Sequence, residues 1–139
     1  MSTADHLGYL LKHVQERFFQ LTAAALAPSG ISGREAAVLR EIDSPQPLAQ
    51  GEIARLMGID RTTMVALIDD LQDRDLVRRR QDPDDRRKNV VELTESGRAI
   101  TRQALHAAKQ AEQAFLSPLT AAEAAQLKQI LRALLDGPA

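Results

Sequence analysis

The sequence predicts a mainly α-helical domain that carries one small β-hairpin. Three observations predict it. Apolar residues recur at three and four through most of the 139 residues, the period of helices that bury one face. Ser32 and Thr120 each stand three positions before a glutamate, Glu35 and Glu123, the reciprocal pair that satisfies free backbone N–H groups at a helix start. One stretch departs from that period. "LVRRR" and "NVVEL" are short β-favouring runs on either side of "QDPDDRRK", whose proline and three aspartates exclude a strand interior.

Each element follows in turn. Leu7, Leu10, Leu11, Val14, Phe18, Leu21 and Ala25 share a face of a first helix over about 5–27, which "APSG" ends. A second helix starts at the Ser32 cap and runs to about Glu41, and "DSPQPL", with two prolines, is a loop. "AQGEIARLMGIDRTTMVALIDDLQDRDLV" reads as two helices split by "GID". After the hairpin, Thr94 caps an Ala-rich helix that Pro118 closes, and the last helix runs from Thr120 to Gly137. The chain has no internal repeat and no low-complexity tract.

Composition excludes several functions. At 44% hydrophobic and 27% charged, the chain is a folded globular protein rather than a disordered one. Without cysteine it has no disulfide, no thiol redox sensor, no Cys-ligated zinc and no Cys nucleophile. Three Phe and one Tyr are too few for a platform that stacks single-stranded bases. No segment approaches the roughly 20 apolar residues of a bilayer span and the N-terminus lacks a cleavable apolar core, so a cytoplasmic protein with no membrane partner is expected. There is no Gly-rich phosphate loop and no HExxH; Asp69 and Asp70 are adjacent and diverge on a helix. His6 and His13 share a face but stand about 10 Å apart. The expectation is a protein that is not an enzyme and holds no cofactor or metal.

Two features point to nucleic acid. In the helix pair, Ala54, Gly58 and Met64 supply the small residue, the turn residue and the corner apolar residue of a helix-turn-helix. At 100° per residue, Met64, Leu67, Ile68 and Leu71 face the core, Thr62, Ala66, Asp69 and Asp73 face away, and Arg61 and Val65 lie on the flank. Asp60 caps this helix and leaves "RTT" with free N–H groups suited to a phosphate or a base edge. Asp69, Asp70 and Asp73 repel phosphates, so only the N-terminal half is expected in a major groove.

The second feature is charge. The net charge is -1, yet residues 78–88 hold six basic side chains against three acidic ones. An Arg-tipped hairpin beside a groove-binding helix can place a guanidinium in the narrow, electronegative minor groove. The aspartates then act as posts that pair with arginine and shape the tip. The first and last helices carry apolar faces, the latter through Leu127, Ile130, Leu131, Leu134 and Leu135. A monomer of this size has nothing else to cover them, so they are expected to pair across a two-fold axis.

The "MGIDRTT" spacing followed by "DPDDRRKNVVELTESGR" resembles the MarR family of bacterial transcription regulators, and the resemblance covers nearly the whole chain. It implies a single winged helix-turn-helix domain over 1–139, with a DNA-binding lobe at about 31–93 and dimerisation helices at about 5–27 and 94–136. It implies a homodimer on double-stranded DNA of inverted-repeat sequence, most often as a repressor. Arg61, Thr62 and Thr63 match the start of the recognition helix. Arg87 matches the wing-tip arginine, with Arg86 and Asp85 beside it; Arg80 and Lys88 add wing charge and Asp82 supports the tip.

Ala66 and Asp70 stand where many members carry basic residues. Base reading therefore falls to Arg61, the threonines and apolar contact of Val65 or Ala66 with thymine methyls. A small anionic or phenolic effector in the crevice between the dimer helices and the DNA-binding lobe is also implied, with His13 and Arg17 as candidate contacts. The rival readings are a winged-helix module that binds another protein through its basic wing, and nonspecific DNA compaction.

Overall fold

Helix starts are set by caps. Ser32 Oγ accepts from the Glu35 N–H at 3.1 Å while Glu35 Oε1 accepts from the Ser32 N–H at 2.8 Å, and Thr120 and Glu123 repeat the exchange at 3.1 and 2.9 Å. In this computed structural model, which describes residues 2–138, the order is α1 (Leu7–Leu26), α2 (Gly33–Ile42), β1 (Leu48–Ala49), α3 (Gln50–Met57), α4 (Arg61–Asp73), β2 (Val77–Gln81), β3 (Asn89–Leu93), α5 (Glu95–Leu116) and α6 (Ala121–Asp136). Thr3–Asp5 and Ala27–Ser29 are short 3-10 turns. The first helix therefore begins two residues later than its apolar pattern suggests, because Ser2 caps a separate turn and His6 is extended.

The sheet has order β1-β3-β2, all antiparallel. β2 and β3 pair from Val77 with Leu93 to Gln81 with Asn89, leaving residues 82–88 as the hairpin tip. β1 pairs Leu48 with Val91 and Ala49 with Val90, in a stretch the sequence marks as the end of a loop. Two residues are too few to show a period, and only the exposed edge of β3 makes them a strand.

The core gathers Leu39, Ile42, Ile53, Met64, Ile68, Leu71, Val77, Val91 and Leu93, so α2, α3 and α4 close over one face of the sheet. The helical wheel of α4 holds: Met64, Ile68 and Leu71 are fully buried and Leu67 partly so. Gly58, at φ 63°, ends α3, and the Ile59 N–H reaches back to the Ala54 carbonyl at 2.9 Å. A side chain with a Cβ is strained there, which explains the glycine in "GID".

α1 lies along the Ala-rich α5, and Phe18 meets Phe115 edge-on at 5.3 Å between ring centres. α6 buries no residue among those described and is tied back by one ion pair, Lys128 to Glu112 at 3.3 Å. Leu7, Leu10, Leu11 and Val14 on α1 and Ile130, Leu131, Leu134 and Leu135 on α6 are left exposed.

Candidate nucleic-acid interface

The Asp60 carboxylate accepts from both the Thr63 N–H and the Thr63 hydroxyl, each at 2.8 Å. These bonds, the backbone one foremost, hold its carboxyl below the usual aspartate value. The cap fixes the start of α4 with Arg61, Thr62, Val65 and Ala66 exposed and Thr63 half-buried in the cap itself. Thr63 thus has an internal task, and the side chains left exposed at the start of α4 are Arg61, Thr62, Val65 and Ala66.

The hairpin tip is built by its aspartates. Asp82 Oδ1 accepts from the Asp84 N–H at 2.9 Å, and the Asp82 N–H donates to the Lys88 carbonyl at 3.0 Å. Asp85 accepts from the Arg87 N–H at 3.1 Å and from Arg87 Nε at 3.2 Å. The expected posts are present, with a single Nε contact to Arg87 in place of a fork. Arg87 keeps a side chain that is 92% exposed.

The structure divides the six basic residues three ways, Arg79 turning onto α3 and α4. Arg86, Arg87 and Lys88 sit exposed at the tip. Arg78 and Arg80 instead converge on Glu92 across the ladder, at 2.8 and 3.2 Å. Arg80, expected to add DNA-facing charge, is therefore engaged within the sheet. Partial burial works to raise the Glu92 carboxyl, but hydrogen bonds and charge from Arg78 and Arg80 outweigh it and hold Glu92 below its ordinary value.

A stability prediction follows from Glu92. Since it ionises more readily folded than unfolded, its contribution is fully present above the unfolded value of about 4.3 and fades as pH falls through the lower folded one. Glu92→Gln should lower the thermal midpoint at pH 7 and separate little from the parent at pH 3. An equal offset at both pH values would contradict the pairing.

Asp69 and Asp70, expected to repel phosphates, each have a basic partner. Asp69 binds Arg79 at 2.6 Å. Asp70 binds Arg74 at 3.0 Å, and Arg74 in turn holds Glu35 and the Gly30 carbonyl, joining the end of α4 to the start of α2.

A cleft of about 650 Å³ runs between α3, α4 and the hairpin, with Gln50, Arg55, Arg61, Val65, Arg87 and Lys88 among its walls. It brings the start of α4 and the hairpin tip together, as the sequence suggests. It adds Gln50 and Arg55 of α3, which carried no sequence signal beyond their place on the first helix of the pair. A second, apolar groove of about 310 Å³ lies between α1, α5 and α6, lined by Leu11, Val14, Phe18, Phe115, Leu116, Leu127 and Leu131 with Gln15, Glu112 and Lys128. His13 and Arg17 do not line it; the His13 ring lies 4.1 Å from that of Tyr9, centre to centre and tilted at 43°, and meets Glu16 at 3.4 Å.

A MarR family model matches residues 29–88, from the turn that follows α1 to the hairpin tip. A helix-turn-helix transcriptional repressor of Mycobacterium bovis is 30% identical over 96% of this chain and 98% of its own length. The chain belongs to the MarR family. Among solved MarR-like structures, the repressor CouR bound to a 23-mer DNA duplex superposes with a TM-score of 0.88 at 32% identity, over 95% of this chain and 94% of CouR. BpsR of Bordetella bronchiseptica, whose DNA binding is regulated by 6-hydroxynicotinic acid, matches with a TM-score of 0.87 at 25% identity, over 99% of both chains. The mainly helical fold with its three-stranded sheet is thus that of a MarR-family winged-helix regulator, with the β2–β3 hairpin as its wing. No helix among the described residues is long and apolar enough to cross a membrane.

Proposed function

We propose that this MarR-family regulator is a homodimeric repressor that binds a pseudo-palindromic operator in the cytoplasm. The observation that carries the reading is the shared cleft: the open N-terminus of α4 and an almost fully exposed Arg87 flank one concave surface. Such a pair can address a major groove and the adjacent minor groove at once. Arg61, Thr62, Val65 and Ala66 take the bases, Arg86, Arg87 and Lys88 the minor groove and phosphates, and Asp82 and Asp85 hold the tip. Residues 31–93 act as the DNA-binding lobe; helices within 5–27 and 94–136 pair two copies through the exposed apolar faces of α1 and α6. CouR, bound to a duplex, supports the DNA reading.

BpsR, governed by a small aromatic acid, supports a small anionic or phenolic effector here. His13 and Arg17 remain its proposed contacts on the exposed flank of α1.

The test is selection of duplexes from a random pool by the purified protein at near-physiological salt. An inverted repeat with half-sites about one helical turn apart, preferred at least about 10³-fold over unrelated duplex, is expected. A folded dimer that enriches no sequence would overturn the reading in favour of a protein-binding module.

A further inference from the structure

Arg79 is the middle arginine of β2, and the strand's two-residue alternation places it on the side of Val77, which is buried in the core. Its side chain is only 20% exposed. Nε donates to Gln50 Oε1 at 2.8 Å, at the first residue of α3. Nη1 donates to Asp69 Oδ1 at 2.6 Å and reaches Gln72 Oε1 at 3.4 Å, both on α4. Nη2 donates to the Val65 carbonyl at 3.2 Å. One planar cation therefore binds acceptors on both helices of the helix-turn-helix from a strand of the wing.

We propose that Arg79 is a positioning residue for DNA recognition, a clamp that holds α3, α4 and the wing strand in one relative orientation. This rests on the operator-binding reading above. Core packing of Met64, Ile68 and Leu71 against Val77 and Val91 holds α4 to the base of the sheet but is non-directional, and the covalent link runs through Arg74–Leu76, where Asp75 sits at φ 60°. Two reading elements gain from each other only if their spacing matches that of two grooves. Val65 is the fifth residue of α4, so the clamp grips the N-terminal half of the helix, the half assigned to the major groove above. The same contact gives Asp69, an acid on a DNA-reading helix, a reason to be there. Arginine suits the task because its fork fixes several donor directions at once, which a lysine ammonium does not.

The test combines binding with a distance measurement. Arg79→Ala is expected to weaken the selected operator about tenfold or more, comparable to losing one good base contact. The slope of log affinity against log salt should stay at the parent value, since no phosphate contact is lost. Arg79→Lys should behave as Arg79→Ala does. A slope that falls as it does for Arg87→Ala, or full rescue by lysine, would make Arg79 a simple DNA-facing charge and overturn the clamp.

In the free protein, spin labels on Arg86→Cys and Asp73→Cys, the chain having no cysteine of its own, report the distance from wing to α4 in labelled subunits diluted with unlabelled ones. Arg79→Ala should broaden that distribution; an unchanged distribution overturns the proposal whether or not DNA binds. Asp69→Ala, at an exposed helix position, carries the same measurements if Arg79→Ala does not fold. A parent protein that selects no operator, with a distribution that broadens, would instead overturn the operator reading.

Discussion

Arg87→Ala should weaken operator binding about 100-fold and leave the fold intact. Arg87 is the most exposed of the ion-paired arginines, and its one partner, Asp85, sits two residues away at the tip. Losing it removes no core contact, so the thermal midpoint should move by no more than a surface substitution does, within about 0.5 kcal/mol. Each site in a two-fold dimer loses two guanidinium groups, at about 1–2 kcal/mol each. The salt slope should fall by roughly two units if both groups release counterions. Fluorescence anisotropy titrations of parent and variant across a salt series measure both quantities. An unchanged affinity would remove the wing tip from the interface, and with it the main support for minor-groove contact.

The largest stability effect is expected at Gly97, in the first turn of α5. A Cβ built there would stand 1.8 Å from the Leu76 carbonyl oxygen and 2.8 Å from its carbon, both backbone atoms that cannot swing aside. The crossing is tight because three bonds draw it together. The Thr94 N–H donates to the Leu76 carbonyl at 3.1 Å, the Thr94 hydroxyl donates to the Asp75 carbonyl at 2.6 Å, and the Gly97 N–H donates to Thr94 Oγ1 at 2.9 Å. Helix propensity alone would make Gly97→Ala stabilising by about 1 kcal/mol. Steric conflict with a main chain should win, for a net loss of about 3 kcal/mol, at the upper end of overpacking effects. That is a large share of the 5–15 kcal/mol typical of a domain. Urea unfolding of Gly97→Ala beside Ser96→Ala, an exposed neighbour, checks it. A gain in stability at Gly97 would contradict a tight crossing of α5 over Leu76.

Much of this protein is legible in its sequence, because the deciding interactions there are local. Capping boxes at Ser32 and Thr120, the apolar stripe of α4 and the break at Gly58 depend on neighbours within four residues. The wing and its Asp-built tip are equally local, since Asp82, Asp84, Asp85 and Lys88 bond within one loop. The exposure of Arg61, Thr62 and Arg87 is legible too, because it follows from the helix wheel and the hairpin turn.

Other features depend on contacts between residues far apart in the chain. β1 exists because β3 offers it an edge, and Gly97 is glycine because a carbonyl 21 positions earlier lies against it. The three consecutive arginines read as one patch of charge, whereas tertiary structure gives Arg78 and Arg80 to Glu92 and turns Arg79 onto α3 and α4. The strand alternation that sets Arg79 beside Val77 is visible in the sequence, but the identity of what it meets is not. Sequence by itself determined the elements, the caps and the family motif, since those arise from short-range hydrogen bonding and periodic burial. Only the tertiary structure decided which charges are free to meet a phosphate, because a charge's availability depends on the oppositely charged groups that folding brings beside it.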